Sequence, residues 1–157
     1  MTPEFRSGAF DQRPVEARPD VLVFTSDPLD HDLEVTGPVR VRLWAATSAP
    51  STDWVARLCD VFPDGRSLNL TDGILRVRDE PDAAKEREID LWATSNVFRA
   101  GHRIRLQVTS SCFPRWDRNL NTAEPAGEGT RIEVARQTIL HDAARPSRVI
   151  LPLVDSA

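Results

Sequence analysis

Apolar residues recur at every second position along most of this chain. In Val39-Arg40-Val41-Arg42-Leu43 and in Ile104-Arg105-Leu106-Gln107-Val108, arginine or glutamine separates each aliphatic side chain from the next. A period of two sends alternate side chains to opposite faces, so both runs predict strands with one face in a core and the other in water. Similar runs occupy residues 20–25, 54–62, 67–77, 88–94, 131–140 and 148–154, set apart by clusters of Pro, Gly, Asp and Ser. About eight or nine strands are expected. No window carries a helical repeat longer than two turns, and a short helix fits best at residues 82–87. The pattern predicts an all-β domain.

Turn chemistry sharpens this reading. Pro63-Asp64-Gly65-Arg66 lies between two alternating runs, with Gly65 free to adopt the positive φ of a tight hairpin. Arg99-Ala100-Gly101-His102 and Thr36-Gly37-Pro38 read as strand starts, where proline costs no ladder hydrogen bond. Residues 1–19 have no period and scatter Pro3, Pro14 and Pro19 among Phe5, Phe10 and Val15. They read as an extended arm or linker, with residues 20–157 forming the all-β domain. A free linker rarely carries two phenylalanines, so the arm is expected to lie in a groove on another surface, with Asp11-Gln12-Arg13 hydrogen-bonding across the contact.

Composition narrows the function classes. The chain has 157 residues, enough for one ordinary domain, with 40% hydrophobic and 28% charged residues. Its 20 basic and 24 acidic residues are interspersed, for a net charge of −4. No cationic stripe is available for phosphates or anionic lipid, so nucleic acid and membrane are not expected partners. No apolar run approaches the ~20 residues of a membrane helix and no signal-peptide layout opens the chain; a soluble, cytoplasmic protein is expected. Cys59 and Cys112 are too few for a disulfide framework and are read as buried, reduced thiols.

Candidate chemistry is sparse. A serine nucleophile on a strand-to-helix elbow would show as Gly-x-Ser-x-Gly, which is absent. His31, His102 and His141 read as a loop, a turn and a strand-end residue without a nucleophile partner. Asp27, Asp30 and Asp32 cluster beside His31 but match no calcium loop, and no phosphate loop is present; no metal or cofactor is expected. The segment 110–122 joins Arg115, Trp116, Arg118, Asn119 and Asn121. It reads equally as a binding surface or as a long connection whose polar side chains satisfy their own backbone while Trp116 caps the core. Trp44, Trp54 and Trp92 fall inside strands, where core packing is expected and a sugar-stacking platform is the alternative.

Seven segments in order carry a resemblance. They are Asp11-Gln12-Arg13; Arg18-Pro19-Asp20-Val21-Leu22-Val23-Phe24-Thr25-Ser26; Leu33-Glu34-Val35-Thr36-Gly37-Pro38-Val39; Thr52-Asp53-Trp54-Val55-Ala56-Arg57-Leu58 with Asp60-Val61-Phe62-Pro63-Asp64-Gly65; Gly73-Ile74-Leu75-Arg76; Phe98-Arg99-Ala100-Gly101-His102-Arg103-Ile104-Arg105-Leu106; and Ser111-Cys112-Phe113-Pro114-Arg115 with Arg118-Asn119 and Asn121-Thr122. Together they resemble the C-terminal domain of the X-Pro dipeptidyl-peptidase and cocaine esterase family of serine hydrolases. The resemblance implies a jelly-roll β-sandwich of the galactose-binding-like type. It also implies that the catalytic triad belongs to an α/β-hydrolase domain on the N-terminal side, so no catalytic residue is assigned here. Phe5, Phe10, Asp11, Gln12, Arg13, Arg115, Trp116, Arg118 and Asn119 become candidates for the surface that meets that domain. A carbohydrate-binding module is the alternative. An uncovered docking surface would also favour self-association, as a homodimer with the arm exchanged.

Overall fold

The computed structural model describes residues 8–125 and 128–154; Phe5 therefore lies outside the described residues. One short helix, α1 (Arg13–Glu16), precedes eight strands: β1 (Leu22–Thr25), β2 (Leu33–Thr47), β3 (Ser51–Val61), β4 (Ser67–Arg78), β5 (Lys85–Phe98), β6 (Arg103–Thr109), β7 (Gln137–Leu140) and β8 (Arg148–Ile150). The first sheet has the order β1-β6-β3-β4, and the second β5-β2-β7 with β8 also paired to β2. All ladders are antiparallel. This is the all-β sandwich that the alternation predicts.

The core forms where the inward residues of the sheets meet. Val35, Val39, Val41, Leu43, Ile89, Leu91 and Phe98 of the second sheet pack on Trp54, Ala56, Leu58, Val77 and Val108 of the first. In β2 the buried residues alternate with exposed or half-buried ones from Val39 to Thr47, the period-two signature at work. Strand β3 is different, because ten of its eleven residues are buried and only Arg57 is half-buried. It has a core on one side and further chain laid over the other. The sheets draw closest at β4 and β5, where a Cβ built on Gly73 would stand 2.0 Å from the Asp90 carbonyl oxygen. Only glycine fits there, and beside it the Thr71 hydroxyl donates to the Leu91 carbonyl.

Several elements depart from the sequence expectation for identifiable reasons. Gly37-Pro38 does not start a strand but sits inside the fifteen-residue β2, beside a register shift against β5. Pro38 pairs with Ala93 and Arg40 with Asp90, so the single Val39 faces both Leu91 and Trp92, the count of a β-bulge. The bulge holds Trp92 at φ 65°, with its N–H donated to Asp90 Oδ1 at 2.8 Å. The ring is turned outward, 69% exposed, and not into the core as its place in a strand suggested. No helix forms at 82–87, since β5 already begins at Lys85; the helical turn lies at Arg13–Glu16, where Pro14 occupies a first-turn position that needs no N–H donor. The arm is thus not extended throughout. Of the run 131–140 only Gln137–Leu140 is paired; upstream, Glu133 N–H bonds to the Leu120 carbonyl and the Glu133 carbonyl accepts from Asn121 Nδ2 at 2.9 Å.

Candidate functional site

The polar positions of the predicted strands converge on the outer face of the first sheet, and the arm and the segment after β6 lie across it. The arm enters at the β4 edge, where Asp11 bridges Leu68 and Gln12 N–H donates to the Ser67 carbonyl at 2.7 Å. It crosses β3 where Arg57 Nη1 donates to Gln12 Oε1 at 2.7 Å. Over β6, Glu16 of α1 accepts from Arg105 Nη1 at 2.6 Å and Gln107 Nε2 at 2.9 Å, and from the Ser67 hydroxyl of β4 at 2.6 Å. The crossing ends at Asp20, whose carbonyl accepts from Thr109 Oγ1 at 2.9 Å, and the chain then becomes β1.

Two ion-pair centres organise the middle of this face. Register places Arg57 opposite Asp72 and Asp53 opposite Arg76 on β3 and β4. Arg57 donates through Nε and Nη2 to Asp72 Oδ2 at 3.2 and 3.1 Å, and through Nη2 to Cys112 Sγ at 2.9 Å. Arg115 Nη1 lies 3.1 Å from Asp72 Oδ1, close enough for an ion pair, although that oxygen has no aligned hydrogen-bond donor. The Arg115 guanidinium also stacks over Trp116, 4.8 Å from the ring centroid. In the second centre Arg76 makes a bidentate pair with Asp53 at 2.7 and 2.8 Å and reaches Asp117 Oδ2 at 2.9 Å. These bonds to Asp53, then Asp117, raise the Arg76 pKa above its ordinary value, and the bond to Arg76 lowers that of Asp117. Asn119 Nδ2 completes the cluster with bonds to Asp53 Oδ1 at 2.9 Å and Ser51 Oγ at 3.1 Å.

The described candidates from the sequence therefore meet on one face, in two roles. Gln12 is buried, and Asp11, Gln12 and Asn119 direct their polar atoms into the domain itself. The hydrogen bond from Arg13 pulls the Asp11 pKa down to about 2. Phe10, Arg13, Arg115 and Arg118 are exposed and Trp116 is half-buried. Sequence reasoning missed the residues that hold the arm and loop down: Glu16, Arg57, Asp72, Arg105, Gln107, Asp53 and Arg76. Their signal was present as polar residues, all but Glu16 at the wet positions of strands, yet the partners lie up to 91 residues apart and only the fold joins them.

Other groups are differently placed. His102 Nδ1 is 2.9 Å from Asp60 Oδ1 and its ring packs on Phe62 with centroids 4.4 Å apart. Among the described residues no histidine is hydrogen-bonded to a hydroxyl or thiol, and no three His, Cys, Asp or Glu side chains gather as metal ligands. Cys59 is buried, as expected, and burial pushes its thiol up to about 12; Cys112 is only half-buried. Trp54 belongs to the core and Trp44 is half-buried. Trp44 pairs with Glu86, six residues along β5 from the Trp92 bulge and thus about 20 Å from it, so the two form no shared platform for a sugar. No described helix is long and apolar enough to cross a membrane.

Against known proteins, residues 4–150 match the model of the X-Pro dipeptidyl-peptidase C-terminal non-catalytic domain. The chain is 42% identical to the cocaine esterase of Rhodococcus sp. (strain MB1 Bresler) over 160 residues, which takes in 94% of this chain and 28% of that protein. Among solved structures, an aminopeptidase from a marine sediment archaeon, Thaumarchaeota archaeon, superposes with a TM-score of 0.88 at 32% identity, over 94% of this chain and 28% of that one. An alpha-amino acid ester hydrolase superposes with a TM-score of 0.87 at 31% identity, over 93% and 27%. The chain thus spans little more than a quarter of the length of these relatives. By sequence and by fold, it belongs to the family of X-Pro dipeptidyl-peptidase C-terminal non-catalytic domains.

Proposed function

We propose that this domain is the non-catalytic C-terminal module of a serine hydrolase, and that it packs on and stabilises an α/β-hydrolase domain on its N-terminal side in the same polypeptide. The observation that carries this is one of proportion: nearly all of this chain aligns with relatives described as esterase, aminopeptidase and ester hydrolase, yet fills only 28% or 27% of them. The arm fits the role. It is bonded across three strands of the first sheet, β4, β3 and β6, and would fix the direction from which a preceding domain arrives. Of the candidate contact residues, Phe10, Arg13, Arg115, Trp116 and Arg118 have surface to offer a partner, whereas Asp11, Gln12 and Asn119 act by holding the arm and the loop in place.

The test is to read the coding frame immediately upstream and assay its product. The expected frame encodes an α/β-hydrolase domain with Gly-x-Ser-x-Gly, active on p-nitrophenyl esters or X-Pro-nitroanilides and less heat-stable once this domain is deleted. A frame without such a domain, or a hydrolase indifferent to the deletion, overturns the proposal.

A further inference from the structure

A groove of about 980 Å³ lies at the end of β1 and β6, walled on one side by the arm from Val15 to Leu22 and on the other by the 132–139 segment. It exists because both flanking strands are short. β1 and β7 have four residues each, so neither sheet extends far enough to close the sandwich beside Trp54, Val108 and Ile139, which line its floor. The rim is apolar and uncovered: Val134 is 99% exposed, Phe113 67%, Ile132 57% and Leu22 44%. Four large apolar side chains around one groove on a single domain mark a surface built to be covered.

The charges of the groove are nearly all satisfied within the domain. Arg18 pairs with Asp20, Arg57 with Asp72, and Glu133 with Arg131. Arg118 lines the same groove and is exposed; among the described residues it takes part in no ion pair.

We propose, on the reading that a hydrolase domain precedes the arm, that this groove is its seat, filled by an apolar segment of that domain with a carboxylate set opposite Arg118. Two observations select this occupant. About 72% of the cocaine esterase lies outside the aligned region, as the complement of the 28% that is matched, which is ample protein to fill such a groove. The tether is also in place. The arm is bonded to the β4 edge at Asp11 and Gln12 and itself forms a wall of the groove. The point at which the arm reaches the sheet therefore lies only the width of the sheet away, roughly 14 Å for three inter-strand spacings. A tether so short holds the groove and its occupant at an effective concentration on the order of millimolar, so a modest interface suffices.

The experiment compares Val134→Asp with Ile132→Asp, and Arg118→Glu, in the polypeptide from the full upstream frame and in the 157-residue chain. Val97→Asp, exposed on β5 of the other sheet, is the control. Because Val134, Ile132 and Arg118 are exposed, the 157-residue variants should melt with the parent. In the full polypeptide the apolar variant and Arg118→Glu should each speed thermal inactivation of the hydrolase by about ten-fold, as for a residue central to an interface, while Val97→Asp leaves it unchanged. If the groove variants are silent but deletion of the whole domain is damaging, the hydrolase docks elsewhere: the seat falls and the broader function stands. If deletion is also silent, the broader function falls with it. If the 157-residue chain is a dimer that Val134→Asp dissociates, while the full polypeptide ignores that change, the occupant is a second copy and the proposal is overturned.

Discussion

Glu16 is the side chain on which the arm's attachment turns, and Glu16→Ala measures how firmly it is held. Its carboxylate is 8% exposed and accepts three hydrogen bonds, from Arg105, Gln107 and Ser67. Truncation leaves the Nε2 group of Gln107, which is 2% exposed, with only Cys59 Sγ at 3.4 Å to donate to. Removing one member of a buried ion pair costs about 3–5 kcal/mol. Arg105 is one-fifth exposed and keeps Thr25 Oγ1 at 2.8 Å, so the low end, about 3 kcal/mol, applies. For a domain of this size each kcal/mol moves the melting midpoint by about 2–4 °C, which gives a fall of about 6–12 °C. Amide hydrogen exchange then tells where the loss is felt. The amides of Gln12 and Val15 to Arg18, all hydrogen-bonded, should exchange at the rate of the β-ladders in the parent and far faster in the variant. A midpoint within 1–2 °C of the parent, with arm protection unchanged, would refute the argument that Glu16 pins the arm to β6.

Gly73→Ala places a methyl 2.0 Å from the backbone oxygen of Asp90, a clash no rotamer relieves. It should cost at least about 3 kcal/mol in a urea titration, whereas Gly65→Ala, which meets only open space at φ +87°, should cost about 1 kcal/mol of backbone strain. Equal losses at the two positions would show that β4 and β5 are not packed this tightly. Hydrogen bonds from Arg13, Arg18 and Arg76 hold the Asp11, Asp20 and Asp117 carboxylates below their ordinary values. A group with a depressed folded pKa contributes stability that is present above its unfolded value, near 4, and lost as the pH falls through the folded one. Melting midpoints should therefore stay level from pH 7 to about 5 and decline toward about pH 2, the value for Asp11. A midpoint that rises below about pH 4 would contradict the sign.

What the chain revealed in advance follows the range over which each interaction acts. Alternation is local, so the strands of the core could be read from neighbours two residues apart, and Val39 to Leu43 alternates as expected between buried and exposed or half-buried positions. Ile104 to Val108 forms the expected strand without the expected alternation, because the arm covers its outer face and buries Gln107 as well. The bulge at Trp92 and the long run of β2 through Gly37-Pro38 could not be read in this way, because each is decided by what the opposite strand does. The same holds for the candidate surface. Arg115, Trp116, Arg118 and Asn119 drew notice as an unusual composition within one segment, but their footing on Asp72 and Asp53 depends on β3 and β4 being in register. Arg57 shows the principle most sharply. In the sequence it is one more arginine at a wet position, indistinguishable from Arg40 or Arg42. In the fold it ties Gln12 of the arm, Asp72 of β4 and Cys112 of the loop after β6 into a single cluster. That cluster turns an outward face into a covered one, so the arm behaves as a fitted layer of the sandwich, and a domain attached through it would inherit a fixed orientation.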